Sequence, residues 1–338
     1  MLTLDGSQGE GGGQILRTAL SLSVLTGQPF VIDRIRAGRE RPGLQRQHLA
    51  AVQAVATVAK ADLSGAEVGS KTLRFRPGTL TPGSYAFSVG SAGSATLVLQ
   101  TLLPALVTAA APSTLTLEGG THNPWAPPYD FLEKAFIPLL VRMGARVRVR
   151  LERRGFYPAG GGRLHVEIEP VARLEPLTLR ERGTIGARRA VAIVSRLSPA
   201  IARRELDVLG RELSLQPNQL KVEEDRSSPG PGNAVRVDIE SEHVTEVFTG
   251  FGRKGVAAET VAGLLATEVR AYLDSEAPVG EHLADQLLIP CALAGGGSFV
   301  ASPISSHTTT NMDIIARFLP RRFKVDRSLE SRHRVDVE

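Results

Sequence analysis

The chain has one cysteine, one tryptophan and three methionines in 338 residues, and aromatic residues make up only 5% of it. A single thiol cannot build a disulfide framework, so the expected compartment is a reducing one, the cytoplasm. That thiol, Cys291, lies on an apolar helical stretch and reads as a small core residue. So few aromatics argue against an extended stacking platform for single strands; a site for one nucleic-acid end fits better. Met1 leads directly into Leu4-Asp5-Gly6 without a basic segment and an apolar run behind it, so neither signal peptide nor membrane span is expected. No glycine run ends in Gly-Lys-Ser/Thr, no Gly-x-Ser-x-Gly elbow occurs and no Cys/His spacing suits zinc, which removes P-loop, serine-hydrolase and zinc-site readings.

What the chain does have is glycine and proline, 34 and 21 of them, spread among periodic segments as tight crossovers rather than as a low-complexity tail. Hydrophobic residues at 42% fit a folded core, and the length exceeds the roughly 250 to 300 residues at which single cores stop growing, so two domains are expected. A net charge of +5 makes a polyanion a plausible partner, with the clustering of charge mattering more than its total.

Three stretches resemble one another: RTALSLSVLTGQPFVI from Arg17, QTLLPALVTAAAPSTL from Gln100 and QLLIPCALAGGGSFVA from Gln286. Aligned without gaps, Arg17, Gln100 and Gln286 coincide, Pro29 falls on Pro112, and Pro104 falls on Pro290. Each reads as an apolar helix passing through small residues into a strand, followed by a second helix (about Gly43 to Lys60, Pro127 to Met143, and Thr310 to Phe318) and further strands. These strands are expected around Thr72 to Pro77, at Ala145 to Glu152 and Arg163 to Glu169, and at Arg322 to Val325 and His333 to Val337 with a turn between the last two. The third copy lies more than twice as far from the second as the second from the first. The excess falls near Arg180 to Ser275, a charged segment with its own strand and helix alternation. The expectation is an α/β (α+β) chain with a large domain, 1–180 and 276–338, and a smaller inserted α/β domain, 181–275.

The chemistry is expected near EHLADQLLIPCALAGGGSFVASPISSHTTTNMDII, Glu281 to Ile315. Thr310 and Asp313 have capping-box spacing, which places a helix start after His307 and puts the histidine in the turn before it. Such a helix end attracts phosphate and disfavours imidazolium, leaving a neutral imidazole able to attack phosphorus. On local sequence alone, a histidine bonded to its neighbours is the simpler reading. The run DGSQGEGGGQILR sets Glu10 among five glycines, where a carboxylate suits Mg²⁺ or Mn²⁺ or is merely solvated. IRAGRERPGLQRQHL gathers Arg36, Arg39, Arg41 and Arg46 with Gln47 and His48, a phosphate-binding set or a solvated basic face.

Taken together these motifs, with LRFRPG, GSAGSATLVLQ, GGTHNPWAPP, GFYPAGGG, GPGN, VGEHLADQLLIP, ALAGGGSF and SHTTTN, resemble the RNA 3'-terminal phosphate cyclase family in order and over essentially the whole chain. The resemblance implies a large domain of three repeated units, each with two helices and a four-stranded sheet, as in carboxyvinyl transferases, plus the smaller inserted domain. It implies a ligase-class enzyme that uses ATP and a divalent metal, Mg or Mn, to turn an RNA 3'-terminal phosphate into a 2',3'-cyclic phosphodiester. AMP is carried first on a histidine and then on the RNA end, and pyrophosphate and AMP are released. By the same resemblance His307 is the adenylylated nucleophile and Glu10 the metal ligand. Gln100, Pro127, His282, Leu283, Ala284, Asp285 and Gln286 match the nucleotide pocket, and Arg17, Arg36, Arg39, Gln47 and His48 match positions that hold phosphates or the RNA end. The family commonly has tyrosine where His282 stands, which leaves the base preference open. Three alternatives remain on sequence: a binding protein of the same fold, a carboxyvinyl transferase acting on a small anion, and adenylylation of a different end such as a 5'-phosphate. Monomer and dimer are both compatible with the chain.

Overall fold

The structure is a computed structural model that describes residues 1–328 and 331–338. The first unit runs β1 (Leu2–Asp5), α1 (Gln14–Thr26), β2 (Phe30–Asp33), α2 (Arg46–Ala59), β3 (Asp62–Ser64) and β4 (Leu73–Arg76). Its sheet has the order β1-β2-β4-β3, with β1 and β2 parallel and the other pairings antiparallel. Helix α1 starts where the glycine run ends, buries Ile15, Leu16, Ala19, Leu20 and Leu22 on its inner face, and stops at Gly27, whose φ of 70° suits a residue without Cβ.

The same order and the same pairing senses recur twice. β5 (Ser84–Ser88), α3 (Ala95–Val107), β6 (Ser113–Gly119), β7 (Arg146–Arg153) and β8 (Gly162–Glu169) give the sheet β5-β6-β8-β7. The second helix of this unit is α4 (Tyr129–Phe131), a π turn (Leu132–Phe136) and α5 (Ile137–Arg142). A short strand β9 (Leu177–Leu179) follows. Skipping ahead in the chain, the last unit also has β14 (Val279–Gly280), α8 (Glu281–Ala294), β15 (Gly297–Ser302), α9 (Ser306–Phe318), β16 (Phe323–Asp326) and β17 (His333–Val337), in the order β14-β15-β17-β16, with β9 pairing along β15. Helix α3, buried on almost every residue, packs beside α1 and α2, while α1 also packs on α9 and α9 on α8. One apolar core runs through all three sheets and their helices.

Between β9 and β14 the chain forms β10 (Ile185–Ser195), α6 (Pro199–Glu212), β11 (Leu220–Asp225), β12 (Gly232–Ser241), β13 (Thr245–Phe251) and α7 (Ala258–Ser275). This sheet, β11-β10-β12-β13, has a core of its own in which Leu206 and Leu209 of α6 and Leu265 and Val269 of α7 pack on Val235 and Val237. Its seam with the rest carries a buried charge cluster: Arg236 reaches Asp130 at 2.5 Å and Asp238 at 3.0 Å, and Asp130 accepts from His122 at 2.8 Å. Burial alone would raise the Asp130 carboxyl, but His122 and Arg236 outweigh it and hold it below the usual carboxylate range.

The whole is α+β, with mixed sheets and helices packed on them. The structure corrects the sequence reading in three places. The last helix begins at Ser306, with Ser305 as its cap accepting from the Thr308 N–H at 3.2 Å, so the Thr310 and Asp313 pair lies inside the helix and caps nothing. Thr310 turns inward instead. Helix α2 begins at Arg46 with Gln45 as its cap, because the Gly43 N–H bonds to the Ile35 carbonyl and Leu44 bonds to residues 69 and 70, not to a helical turn. Strands β3, β5, β9, β13 and β14 are additions to the sequence reading. The turn expected between the final two strands includes 329–330, which lie outside the described residues.

Candidate active site

The glycine loop between β1 and α1 lies against the start of α9, two segments some three hundred positions apart in the chain. The Glu10 N–H donates to Thr310 Oγ1 at 3.2 Å, and Gly9, with φ 55°, leaves the room that Thr310 occupies. The Glu10 carboxylate is 3% exposed; it accepts from the Gln14 N–H at 3.4 Å, pairs with Arg39, and stands 3.9 Å from His307 Nε2.

His307 is the second residue of α9, with a side chain half exposed. Its Nδ1 lies 2.7 Å from Gln14 Oε1, and among the described residues its Nε2 has no hydrogen-bond partner. The Gln14 orientation follows from its other end, where Nε2 donates to Asp285 Oδ1. A carboxylate takes the amide N–H, the amide oxygen then faces His307, and the imidazole proton sits on Nδ1. The lone pair is thereby left on Nε2, the nitrogen that stands 3.9 Å from the Glu10 carboxylate. Asp285 also accepts from Asn311 Nδ2 at 2.8 Å and from Gln286 Nε2 at 3.2 Å, and the Asn311 oxygen accepts from Thr18 at 2.7 Å. Burial raises the Asp285 carboxyl, and the Asn311 bond partly offsets that.

The arginines divide by their partners. The Arg17 guanidinium has no hydrogen bond or ion pair among the described residues and rests over Gly13; a Cβ there would come within 2.8 Å of it and 2.5 Å of His48 Nε2. Burial lowers the Arg17 pKa, with Glu10 and Asp285 opposing, and the group remains a cation with an unfilled need for an anion. Arg39 is held by Glu10. Arg36 donates to the carbonyls of Arg41 at 2.5 Å and Gly43 at 3.1 Å, which shapes its loop. His48 is buried and accepts the Gln45 N–H on Nδ1 at 3.3 Å; burial first, then Arg17 and Arg36, push its pKa down to about 3. It is a neutral donor through Nε2 and not a second cation. Gln47 spends its oxygen on the Ser94 N–H at 3.2 Å, tying two units together.

Arg17, Gln100 and Gln286, the three positions that coincide in the sequence alignment, line one cavity of about 70 Å³ between α1, α3 and α8. Gln100 donates to Gln286, and Asp285 joins them in the polar part of the lining; Pro104 and Pro290 belong to its apolar part. His282 is exposed on the first turn of α8, and Pro127 precedes α4 with its carbonyl accepting from Thr96 at 2.7 Å; both lie outside the cavity. Leu283 and Ala284 are fully buried and outside the cavity lining, so they present no surface to a ligand and serve the core of α8, against the sequence expectation. Sequence reasoning missed Gln14, Thr18, Thr310 and Asn311. Their signal was present as polar residues on the inner faces of apolar helices, Gln14 and Thr18 one turn apart on α1 and His307 and Asn311 one turn apart on α9.

An imidazole with a free lone pair, a carboxylate and a guanidinium unpaired among the described residues meet at two helix starts on an α+β scaffold, and this defines the class: a protein whose site suits a phosphate-bearing ligand. The sequence profile of the RNA 3'-terminal phosphate cyclase family matches residues 8–325, and the chain belongs to that family. It is 54% identical over 325 residues to the RNA 3'-terminal phosphate cyclase of Koribacter versatilis, covering 96% of this chain and 92% of that protein. It is 55% identical over 321 residues to the one from Ralstonia nicotianae, covering 94% and 92%. A solved enolpyruvyl transferase, NikO from Streptomyces tendae, aligns with 99% of this chain and 47% of its own at 11% identity and a TM-score of 0.38, a likeness too low to carry an argument.

Proposed function

We propose that this chain is an ATP-dependent RNA 3'-terminal phosphate cyclase that works through a histidine-bound AMP. The observation that carries the reading is the orientation of His307: Nδ1 is tied to Gln14 at 2.7 Å, and among the described residues Nε2 has no hydrogen-bond partner. In the first step Nε2 attacks the α-phosphorus of ATP, a nitrogen–phosphorus bond forms, and the bond to pyrophosphate breaks. Arg17 and Arg39 are the cations that would hold the departing charge. The adenylylated ring, substituted on Nε2 and protonated on Nδ1, is cationic, so the Gln14 oxygen and the Glu10 carboxylate stabilise it and keep it a good leaving group. In the second step an oxygen of the RNA 3'-phosphate takes the AMP and frees Nε2. In the third the neighbouring 2'-hydroxyl attacks the 3'-phosphorus, closes the ring and expels AMP; adjacency supplies most of that advantage.

Among the described residues no group of three or more His, Cys, Asp or Glu could enclose a metal ion. Glu10 is a single hard oxygen donor beside His307, which fits Mg²⁺ or Mn²⁺ only if nucleotide phosphates and water complete the shell. Such an ion would screen charge on the phosphate oxygens when bound. Gln100, Asp285 and Gln286 in the cavity lining, together with His282 and Pro127 outside it, are the candidate nucleotide contacts. We take 181–275 as a separately folding inserted domain because that segment has its own core. Among the described residues no helix is long and apolar enough to cross a membrane; the lone thiol fits the cytoplasm. The test is incubation with ATP labelled at the α-phosphate and Mg²⁺ or Mn²⁺, followed by a chase with RNA ending in 3'-phosphate. Acid-labile label on the wild type and none on His307→Ala, then a cyclic end after the chase, is the expected result. Label that survives in His307→Ala, or an unlabelled wild type, refutes it.

A further inference from the structure

The only tryptophan in the chain, Trp125, is 87% exposed, and its φ of 62° is a left-handed conformation that a bulky side chain adopts only when its surroundings impose it. Neither feature helps folding, since the indole buries little and the backbone is strained. The loop that imposes it is tightly held: Asn123 donates to the Ala92 carbonyl, Thr96 to the Pro127 carbonyl at 2.7 Å, and the Tyr129 N–H to the Thr121 carbonyl at 2.9 Å. A second large aromatic, Tyr157, is 63% exposed on the adjacent loop, which is joined to the first by the bridge between His122 and Phe156. Two further loops close against this pair. A Cβ on Gly160 would fall 2.7 Å from the Ser91 carbonyl, and one on Gly161 would fall 2.7 Å from the Pro229 ring.

The four loops, 90–94, 119–128, 155–162 and 226–232, contain no Asp or Glu. Arginines lie in or beside them: Arg226 is exposed at the start of the last loop, Arg196 is anchored to the Ser228 carbonyl at 3.2 Å, and Arg46 is exposed at the start of α2. Arg46 neighbours Gln47, whose bond to Ser94 connects this surface to the loop carrying His48 and thus to Arg17. Exposed aromatic faces bordered by cations and free of acids are what a single strand needs, with bases on the rings and phosphates on the guanidinium groups.

We infer that this four-loop surface holds the RNA strand behind its terminal phosphate, one base stacked on Trp125 and another on Tyr157. The inference rests on the RNA-end reading above. Because the chain has one tryptophan, its fluorescence reports the contact directly. Titration with a 3'-phosphorylated single strand of about ten nucleotides should quench the indole, and Trp125→Asn should weaken binding by roughly five- to a hundred-fold. Asn tolerates φ above zero, so the melting temperature of that variant should hold or rise, which a merely structural role would not allow. Trp125→Phe, which keeps an aromatic face, should recover part of the affinity, and a nucleoside 3'-monophosphate, too short to reach the surface, should bind wild type and Trp125→Asn alike. An indole unquenched at RNA saturation, or a Trp125→Asn protein that binds the strand as tightly as wild type, overturns the inference. The cyclase reading fails separately, through an unlabelled wild type in the ATP assay.

Discussion

Replacing Gln14 by methionine tests whether the chain from Asp285 to His307 sets the reactive nitrogen. Methionine is close to glutamine in length and cannot accept from the His307 Nδ1–H now 2.7 Å away, nor donate to Asp285. Two effects follow and they can be measured apart. Asp285 keeps Asn311 at 2.8 Å and Gln286 at 3.2 Å but loses one donor to a buried acceptor, which should lower stability by about 1–3 kcal/mol. The imidazole loses the bond that places its proton on Nδ1, about 0.5–1.5 kcal/mol, so the Nε2 lone pair is present less often and self-adenylylation should slow by up to roughly tenfold. Single-turnover labelling with α-labelled ATP gives that rate, and urea unfolding gives the stability. ATP affinity should change little. A Gln14→Met protein that is less stable yet labels at the wild-type rate would refute the positioning argument and leave Gln14 a structural residue only.

Other expectations are narrower. Arg17→Ala removes a cation that has no hydrogen bond or ion pair among the described residues, so thermal stability should hold while ATP binding weakens roughly ten- to a hundred-fold, read by calorimetry. Gly13→Ala puts a methyl 2.5 Å from His48 Nε2 and 2.8 Å from Arg17, so both groups must shift; about 1–3 kcal/mol of stability and a larger share of adenylylation should be lost. Asp130→Asn strips the anion from between His122 and Arg236 and should destabilise the chain by about 3–5 kcal/mol in urea unfolding. Glu246, buried against the Gly280 N–H at 2.6 Å, has its carboxyl pushed up to about 8, first by burial. The folded chain there holds a proton that the unfolded chain has released, so stability should fall as pH rises from about 4.5 to 8, and melting curves of Glu246→Gln should lose that slope.

The elements were largely legible because helices and strands write their period into neighbouring residues. Leu283 to Ala294 reads as an apolar helix from spacing alone and is found as Glu281–Ala294; His333 to Val337 is found with the same ends. Helix starts were less legible, since a cap is one side-chain bond and SHTTTN offers several: Ser305 takes the role that spacing assigned to Thr310. The glycine loop was legible as a strand-to-helix junction, but not what its glycines make room for.

By itself the sequence determined the elements, the lone thiol, the alignment of Arg17 with Gln100 and Gln286, and the placing of interest on His307. Only the tertiary structure decided which polar groups meet. Gln14 and His307 are 293 positions apart and Glu10 and Thr310 are 300 apart, so no local pattern couples them. Packing of α1 on α9 and of α9 on α8 brings them together, and burial then decides their states: His48 neutral, the Arg17 guanidinium unpaired among the described residues, and the His307 proton turned toward Gln14. Periodicity is information between neighbours along the chain, whereas a site is a set of distances across a core, and those exist only once the core has formed.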